Sequence, residues 1–514
     1  MRLLVKGLRL MAAAALAAAA VTGCQPDNAF KPDYNPLIDD PTEKEPEEPE
    51  TPGQEARMDE LYRPQIHFTP AKNWMNDPNG MVYADGVYHL FYQYNPQGNN
   101  WGNMSWGHAT SSDMIQWTEQ AVALTRDELG DVFSGSCVID KDNTAGFGAG
   151  AMVALYTSAS SVQQQSLAYS TDGGGSFTRF SGNPVIKNND DNLRDPKVFW
   201  HEESGKWIMS LAKGWKRGIE FYGSTDLKSW NHLSTFVTEL SGRPELQWEC
   251  PDLIRLPYKG GHKWVLIVSV NPGGPVLGSG TMYFPGEFDG TRFTADERPY
   301  PLWLDYGMDN YAGVTWSNTG DRAVMLGWMN NWSYAGDVPC SPWRSAMTLP
   351  RELSLTEYDG KPLLCSTVVK EIENIAGEWT AAGSSWEYKE ACQLSVTLDL
   401  TISSTITLGN AKGEKLVVEV YASDRIVAIK RNASTGDTSF NGSFSVPTIQ
   451  GPLNTTGTQV TLDLFVDQSS VELFTREGTL SMTHLVFPSS IYNQLEIKGA
   501  GADVKVRPLK RIWK

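Results

Sequence analysis

The sequence predicts an all-β protein, with a five-bladed β-propeller over residues 58–370 followed by a β-sandwich over 376–514. Three observations carry this. From residue 58 onward, short runs rich in β-branched and aromatic residues alternate with Gly, Asp, Asn and Pro turns, and no long segment shows a helical period. Strand-like runs recur as YHLFYQY (88–94), MVALYTS (152–158), WIMSLAK (207–213), WVLIVSV (264–270) and AVMLGWM (323–329), their starts 64, 55, 57 and 59 residues apart. Further on, QLSVTLDL (393–400), KLVVEV (415–420), VTLDLFVD (460–467) and SSVELF (469–474) alternate apolar with polar positions. Such strands have one buried and one wet face, as in a sandwich.

The chain opens with a processing segment, residues 1–24. Arg2, Lys6 and Arg9 supply a positive start, and Leu10 to Val21 is a short apolar stretch. It ends in Val21-Thr22-Gly23-Cys24, which resembles the lipobox of bacterial lipoproteins, where the Cys is lipidated and becomes the mature N-terminus. Residues 25–57 then hold ten acidic residues, three basic ones and seven prolines. Too few apolar groups are present to fold, and charge repulsion with proline extends such a stretch. The expectation is an exported lipoprotein, at the cell surface or the periplasmic face of a membrane, whose soluble body stands off on an acidic linker. Contact with the membrane would be through that lipid anchor alone.

Within the propeller region a second element recurs in phase: an Asp in a turn, followed by an aromatic residue. It appears at Asp113, Asp172, Asp226 and Asp289. Each period has room for about four short strands, the size of a propeller blade. The sandwich region offers no cluster of candidate catalytic residues and reads as a packing module.

Composition narrows the function classes. A net charge of −17 argues against a nucleic-acid partner, because phosphate recognition needs clustered Lys and Arg. No apolar run approaches the roughly 20 residues that span a bilayer. The 18 Trp residues suit β-rich cores and the flat faces of sugars. Cys137, Cys250, Cys340, Cys365 and Cys392 show no paired spacing and read as buried thiols. The seven His residues are scattered without metal-ligand spacing, so none is assigned to a metal or to catalysis.

Three carboxylates carry the chemistry: Asp77 in WMNDPNG, Asp195 in LRDPKVF and Glu249 in QWECPDL. Each lies 11 to 15 residues before the marker strand of its repeat, in repeats one, three and four. If the repeats are blades, the acids occupy similar places on three inner strands and converge at one end of the axis. A calcium site would also collect carboxylates, but Arg194 and the neighbouring Trp residues are poor company for a hard cation. One protonated and one ionised carboxyl flanking a bond is the layout for glycoside hydrolysis. Glu249, between Trp248 and Cys250, reads as the protonated member, raised by an apolar setting. Asp77, beside Asn76 and Asn79, reads as the ionised one. Arg194 is expected to hold Asp195 as a carboxylate.

At these residues the sequence resembles glycoside hydrolase family 32, the β-fructosidases. WMNDPNG, FYQYNP (91–96), WGNMSWGHA (101–109), FSGS (133–136), RDP (194–196), WECPDL (248–253) and the late SSVELF fit in the family's order. The resemblance implies a five-bladed propeller joined to a β-sandwich, and cleavage with retained configuration through a covalent fructosyl-enzyme. By motif position, Asp77 would be the nucleophile, Asp195 the transition-state stabiliser and Glu249 the acid/base. Asn76, Gln93, Trp101, Phe133, Ser134 and Arg194 would line a fructose pocket. Trp74 and either Trp328 or Trp332, preferably Trp332, would form its apolar wall. The implied partner is a fructan or fructo-oligosaccharide, and no metal or organic cofactor is implied. Two alternatives stand beside this: an inverting, arabinanase-like propeller glycosidase, and a glycan-binding lipoprotein without activity.

Overall fold

The computed structural model describes residues 58–188, 192–238, 247–276, 278–499, 501 and 503–513. The expected signal segment with Cys24 and the 25–57 linker lie outside the described residues. Among the described residues there is no α-helix, only four short 3-10 turns.

Five antiparallel sheets form the first part. Their first strands are Asn73–Ala84, Asp131–Asp140, Arg194–His201, Gln247–Tyr258 and Tyr311–Thr315. These five strands touch in a closed cycle, the last against the first, so they ring a central axis. Each of the five recurring apolar runs is the second strand of its sheet: Val87–Tyr94, Ala151–Ala159, Lys206–Lys213, Gly261–Asn271 and Val324–Met329. They are buried almost throughout because sheets pack on both of their faces. The chain closes on itself where Trp343–Arg344 pairs in parallel with Asn73–Trp74.

The recurring Asp residues have a local cause. Asp113 Oδ1 accepts from the backbone N–H groups of Ile115 and Gln116, Asp226 Oδ1 from Lys228 and Ser229, and Asp289 Oδ1 from Thr291 and Arg292. Asp172 Oδ1 accepts from Ser176 N–H. Each ties the turn between the third and fourth strands of its sheet, as a short acceptor side chain does in an Asx turn.

Two six-stranded sheets form the second part. Leu394, Val396 and Leu398 on one sheet and Ile406, Leu408, Leu416 and Val418 on the other are all buried in one shared core. Their spacing of two is the alternation read in the sequence.

The sandwich meets the propeller through buried charge. Arg351, in the fifth propeller sheet, pairs with Asp305 at 2.8 Å and with Glu472 of the sandwich. Glu472 also meets His67 at 2.8 Å, and His67 meets Asp467 at 2.7 Å. Arg431 pairs with Asp309 at 2.6 Å and donates to Tyr334 at 2.8 Å. Gly307 lies against the sandwich; a Cβ there would come within 2.2 Å of the Thr483 backbone. The late motif SSVELF thus supplies Glu472 to this junction.

Candidate active site

Asp77, Asp195 and Glu249 all lie near the start of a first strand, on the first, third and fourth sheets. At each the ladder to the second strand breaks register: between Met75 and Pro78, opposite Ser210 and Ala212, and between Glu249 and Asp252. Pro78, Pro196 and Pro251 suit these breaks, since a proline has no N–H to give the ladder. The bulges turn the acid side chains off the regular pleat. Asp195 (φ 64°) and Cys250 (φ 46°) sit in the left-handed region, which disfavours side-chain-bearing residues. The second and fifth sheets break register at the same end, across Phe133–Ser134 and after Tyr311.

The side chains converge. Ser134 Oγ donates to Asp77 Oδ2 at 2.7 Å, and Asn76 Nδ2 donates to Asp77 Oδ1 at 3.0 Å. Cys250 Sγ lies 3.6 Å from Asp77 Oδ2 and 3.7 Å from Asp195 Oδ2, so one sulfur touches both carboxyls. The Cys250 backbone N–H donates to Asp195 Oδ2 at 2.9 Å. Arg194 Nη2 and Nε donate to Glu249 Oε1 at 2.8 and 3.1 Å, and Tyr311 Oη donates to Glu249 Oε2.

Burial sets the electrostatics. It raises the Asp77 carboxyl; Ser134 and Asn76 pull it back, and the Glu249 charge pushes it further up. Burial pushes Asp195 up to about 7, against the pull of Arg194 and with the charges of Glu249 and Asp77. The expectation that Arg194 would simply hold Asp195 ionised is therefore corrected. The guanidinium turns to Glu249, and desolvation dominates at Asp195. The apolar setting expected for Glu249 is also corrected, since its carboxyl lies between a guanidinium and a phenol. Burial and the surrounding carboxylates raise the Cys250 thiol, which keeps it a neutral S–H donor.

The remaining residues fall into a wall, a floor and a rim. Trp74 Nε1 donates to Asn76 Oδ1 at 2.8 Å, which aims the Asn76 amide at Asp77. Trp74 stacks with Trp332 at 6.0 Å. Trp328 is fully buried behind them, while Trp332 is half-buried, so Trp332 offers the accessible face. Gln93 is buried; its Nε2 donates to the Val132 carbonyl, and it also meets the Asn79 amide, which in turn faces Ser134. Gln93 therefore stands beneath the site, bracing the strand that carries Ser134. Trp101, 37% exposed, meets Phe133 edge-on at 6.1 Å at the rim. Trp106 is a core residue, its Nε1 donating to the Phe133 carbonyl at 3.0 Å.

Sequence reading missed Cys250 and Tyr311 as members of this site. Cys250 could have been found, because it adjoins Glu249 in WECPDL. Tyr311 carried no local signal; it arrives from the fifth sheet, 62 residues further on. Among the described residues no cluster of His, Cys, Asp or Glu has metal-holding geometry. A separate cavity of about 540 Å³ opens at the other end of the first strands, lined by Lys197, Asp252 and Thr315 among others, and by none of the predicted site residues.

A ring of sheets with three acids converging at one end of its first strands, followed by a β-sandwich, is the architecture of a glycoside hydrolase. The model of the glycosyl hydrolases family 32 N-terminal domain matches residues 67–366, and that of the family 32 C-terminal domain matches 366–513. The chain belongs to glycosyl hydrolases family 32. It is 43% identical over 487 residues to a levanase of Bacillus subtilis, covering 88% of this chain and 71% of that one. It is 40% identical over 513 residues to an extracellular exo-inulinase of Aspergillus niger, covering 87% of this chain and 94% of that one. Among solved structures, the exo-inulinase of Aspergillus awamori superposes with a TM-score of 0.83 at 36% identity, covering 89% of this chain and all of that one. A fructofuranosidase of Schwanniomyces occidentalis, complexed with fructose, gives 0.80 at 30% identity, covering 88% and 99%.

Proposed function

We propose that this chain is a retaining β-fructosidase that cleaves β-fructofuranosidic bonds in levan or inulin, and in sucrose, through a covalent fructosyl-enzyme. The observation that carries this is the unlike setting of two converging carboxyls. Asp77 is fixed by Ser134 and Asn76, with its oxygens aimed by hydrogen bonds, as a nucleophile needs. Glu249 is partly open to solvent, between a donor phenol and a guanidinium, as a group that must exchange protons with the leaving oxygen and then with water needs.

In this reading Asp77 attacks the anomeric carbon while Glu249 protonates the departing oxygen. Glu249 then takes a proton from water, which attacks the fructosyl ester and frees Asp77. Asp195 stabilises the charge that develops on the ring. Trp74 and Trp332 form the apolar wall, and Asn76, Ser134 and Arg194 hold the hydroxyl groups. The names of the levanase, exo-inulinase and fructofuranosidase relatives support the substrate class. Incubation of the purified protein with levan, inulin and sucrose, with products resolved by size over time, tests it. Fructose release from at least one is expected; none from all three would reject the reading.

We also propose that Cys24 carries a lipid that anchors the enzyme, the 25–57 segment serving as its tether. Cys24→Ala should remain active and leave the membrane fraction. A variant that still pellets with membranes would exclude the anchor.

A further inference from the structure

Three tryptophans are exposed among the described residues: Trp101, Trp215 and Trp379. Trp101 leans on Phe133, and Trp379 lies under the Arg507 guanidinium at 4.5 Å. Trp215, 45% exposed, has no aromatic or cation–π contact within the described residues. It is also not part of any motif that the family resemblance rests on.

Its place is specific. The 3-10 turn Gly214–Lys216 joins Lys206–Lys213 to Gly218–Ser224 in the third sheet. In that sheet Ala212 faces Arg194, so the turn stands at the end that presents Arg194 and Asp195. Three contacts fix it. The Trp215 N–H donates to Asn192 Oδ1 at 2.8 Å. The Arg217 N–H closes the turn on the Gly214 carbonyl, with Arg217 at φ 50°. Gly214 packs so tightly that a Cβ there would come within 2.4 Å of Asn192 Oδ1 and 3.0 Å of Gln247 Cγ. Gln247 Nε2 is in turn 3.5 Å from Glu249 Oε1. The turn is thus wedged between the segment leading into Arg194 and the strand bearing Glu249, with Trp215 and Lys216 as its exposed side chains.

Resting on the function proposed above, we propose that Trp215 is a platform for the part of a fructan chain beyond the first sugar of the leaving group. The acid/base must stand at the oxygen of the bond being broken, so the leaving group extends over the side of the mouth that holds Glu249. The turn that carries Trp215 packs on that side, its Gly214 against Gln247. A flat indole on a rigid turn offers its face to the apolar C–H face of a sugar ring and loses little freedom when it binds. Sucrose, whose leaving group is one sugar, does not reach it.

The test is kinetic, with Trp215→Ala and Trp215→Phe on sucrose and on fructo-oligosaccharides of four or more units of each linkage type. Trp215→Ala should lose about tenfold in kcat/KM on oligosaccharides of at least one linkage, mainly through KM, equivalent to roughly 1.4 kcal/mol. Its sucrose kinetics should stay within about twofold of the parent, and Trp215→Phe should restore most of the loss. Equal losses on sucrose and oligosaccharide would show that Trp215 only supports the Glu249 strand. Unchanged kinetics on all substrates would overturn the platform while leaving the function standing. Parent enzyme inactive on every substrate would instead reject the function, and the platform with it.

Discussion

Arg194 donates to Glu249 at 2.8 Å while its Nε stays 4.0 Å from Asp195, its own neighbour in the chain. One guanidinium therefore binds one acid directly and acts on the other only through its field. Because Asp195 and Arg194 are adjacent on a strand, their side chains leave opposite faces unless the backbone is bent. The left-handed φ at Asp195 supplies that bend. The arrangement fixes Glu249 in place and leaves Asp195 desolvated beside two other carboxyls.

Removal of that charge has a signed consequence. Arg194 pulls the Asp195 carboxyl down, so Arg194→Gln should raise it further. If Asp195 must be ionised to work, the acidic limb of the kcat/KM profile should move to higher pH by about one unit. A profile with an unmoved acidic limb would contradict the coupling.

Asp195→Asn separates stability from activity. Burial raises the Asp195 carboxyl to about 7, so its ionisation is less favourable folded than unfolded. Stability from this group is full below the ordinary carboxylate range, near 4, and falls as pH rises towards 7. The amide cannot ionise, so the variant should melt at a higher temperature than the parent at pH 8. Its kcat should fall severely with KM little changed, because the charge acts in the transition state. A normal kcat with raised KM would make Asp195 a binding residue only.

The junction between propeller and sandwich has its own pH signature. Burial alone would lower the His67 pKa, but hydrogen bonds and charge from Asp467 and Glu472 outweigh it and lift it to about 9. The folded value exceeds the unfolded one, so the stabilisation is full below about pH 6.5 and fades as pH rises through about 9. The linkage is worth about 3 kcal/mol at most. The melting temperature should fall between pH 7 and 9.5, and His67→Gln, less stable at pH 6, should show a smaller fall. Parallel curves for the two proteins would exclude His67 as the source.

What the sequence made legible follows from how local each signal is. The second strands announced themselves because burial on both faces demands unbroken apolar runs, and the Asx turns because one side chain ties its own backbone. The three acids were found because each stands 11 to 15 residues before the apolar run of its own repeat, a spacing kept by the first strand and the turn that precede that run. Their electrostatics were not readable: Glu249 owes its surroundings to Arg194 and Tyr311, from other sheets, and Asp195 owes its raised pKa to burial. The neighbours Trp248 and Cys250 suggested an apolar shell that the bulge turns away from the carboxyl. The role of Glu472 in SSVELF was likewise invisible, since its partners Arg351 and His67 lie 121 and 405 residues away in the chain.

The central claim is that Asp77 becomes covalently fructosylated and Glu249 serves it as acid and base. Glu249→Ala on an aryl fructoside tests this most directly, because a phenolate leaves without a proton while the ester still needs a base for hydrolysis. The variant should retain far more activity on the aryl fructoside than on fructan, accumulate an adduct whose mass maps to Asp77, and turn over faster with azide. The product should be fructosyl azide of retained configuration, and Asp77→Ala should show neither adduct nor rescue. An azide product of inverted configuration, or equal losses on both substrates with no adduct at Asp77, would contradict the account.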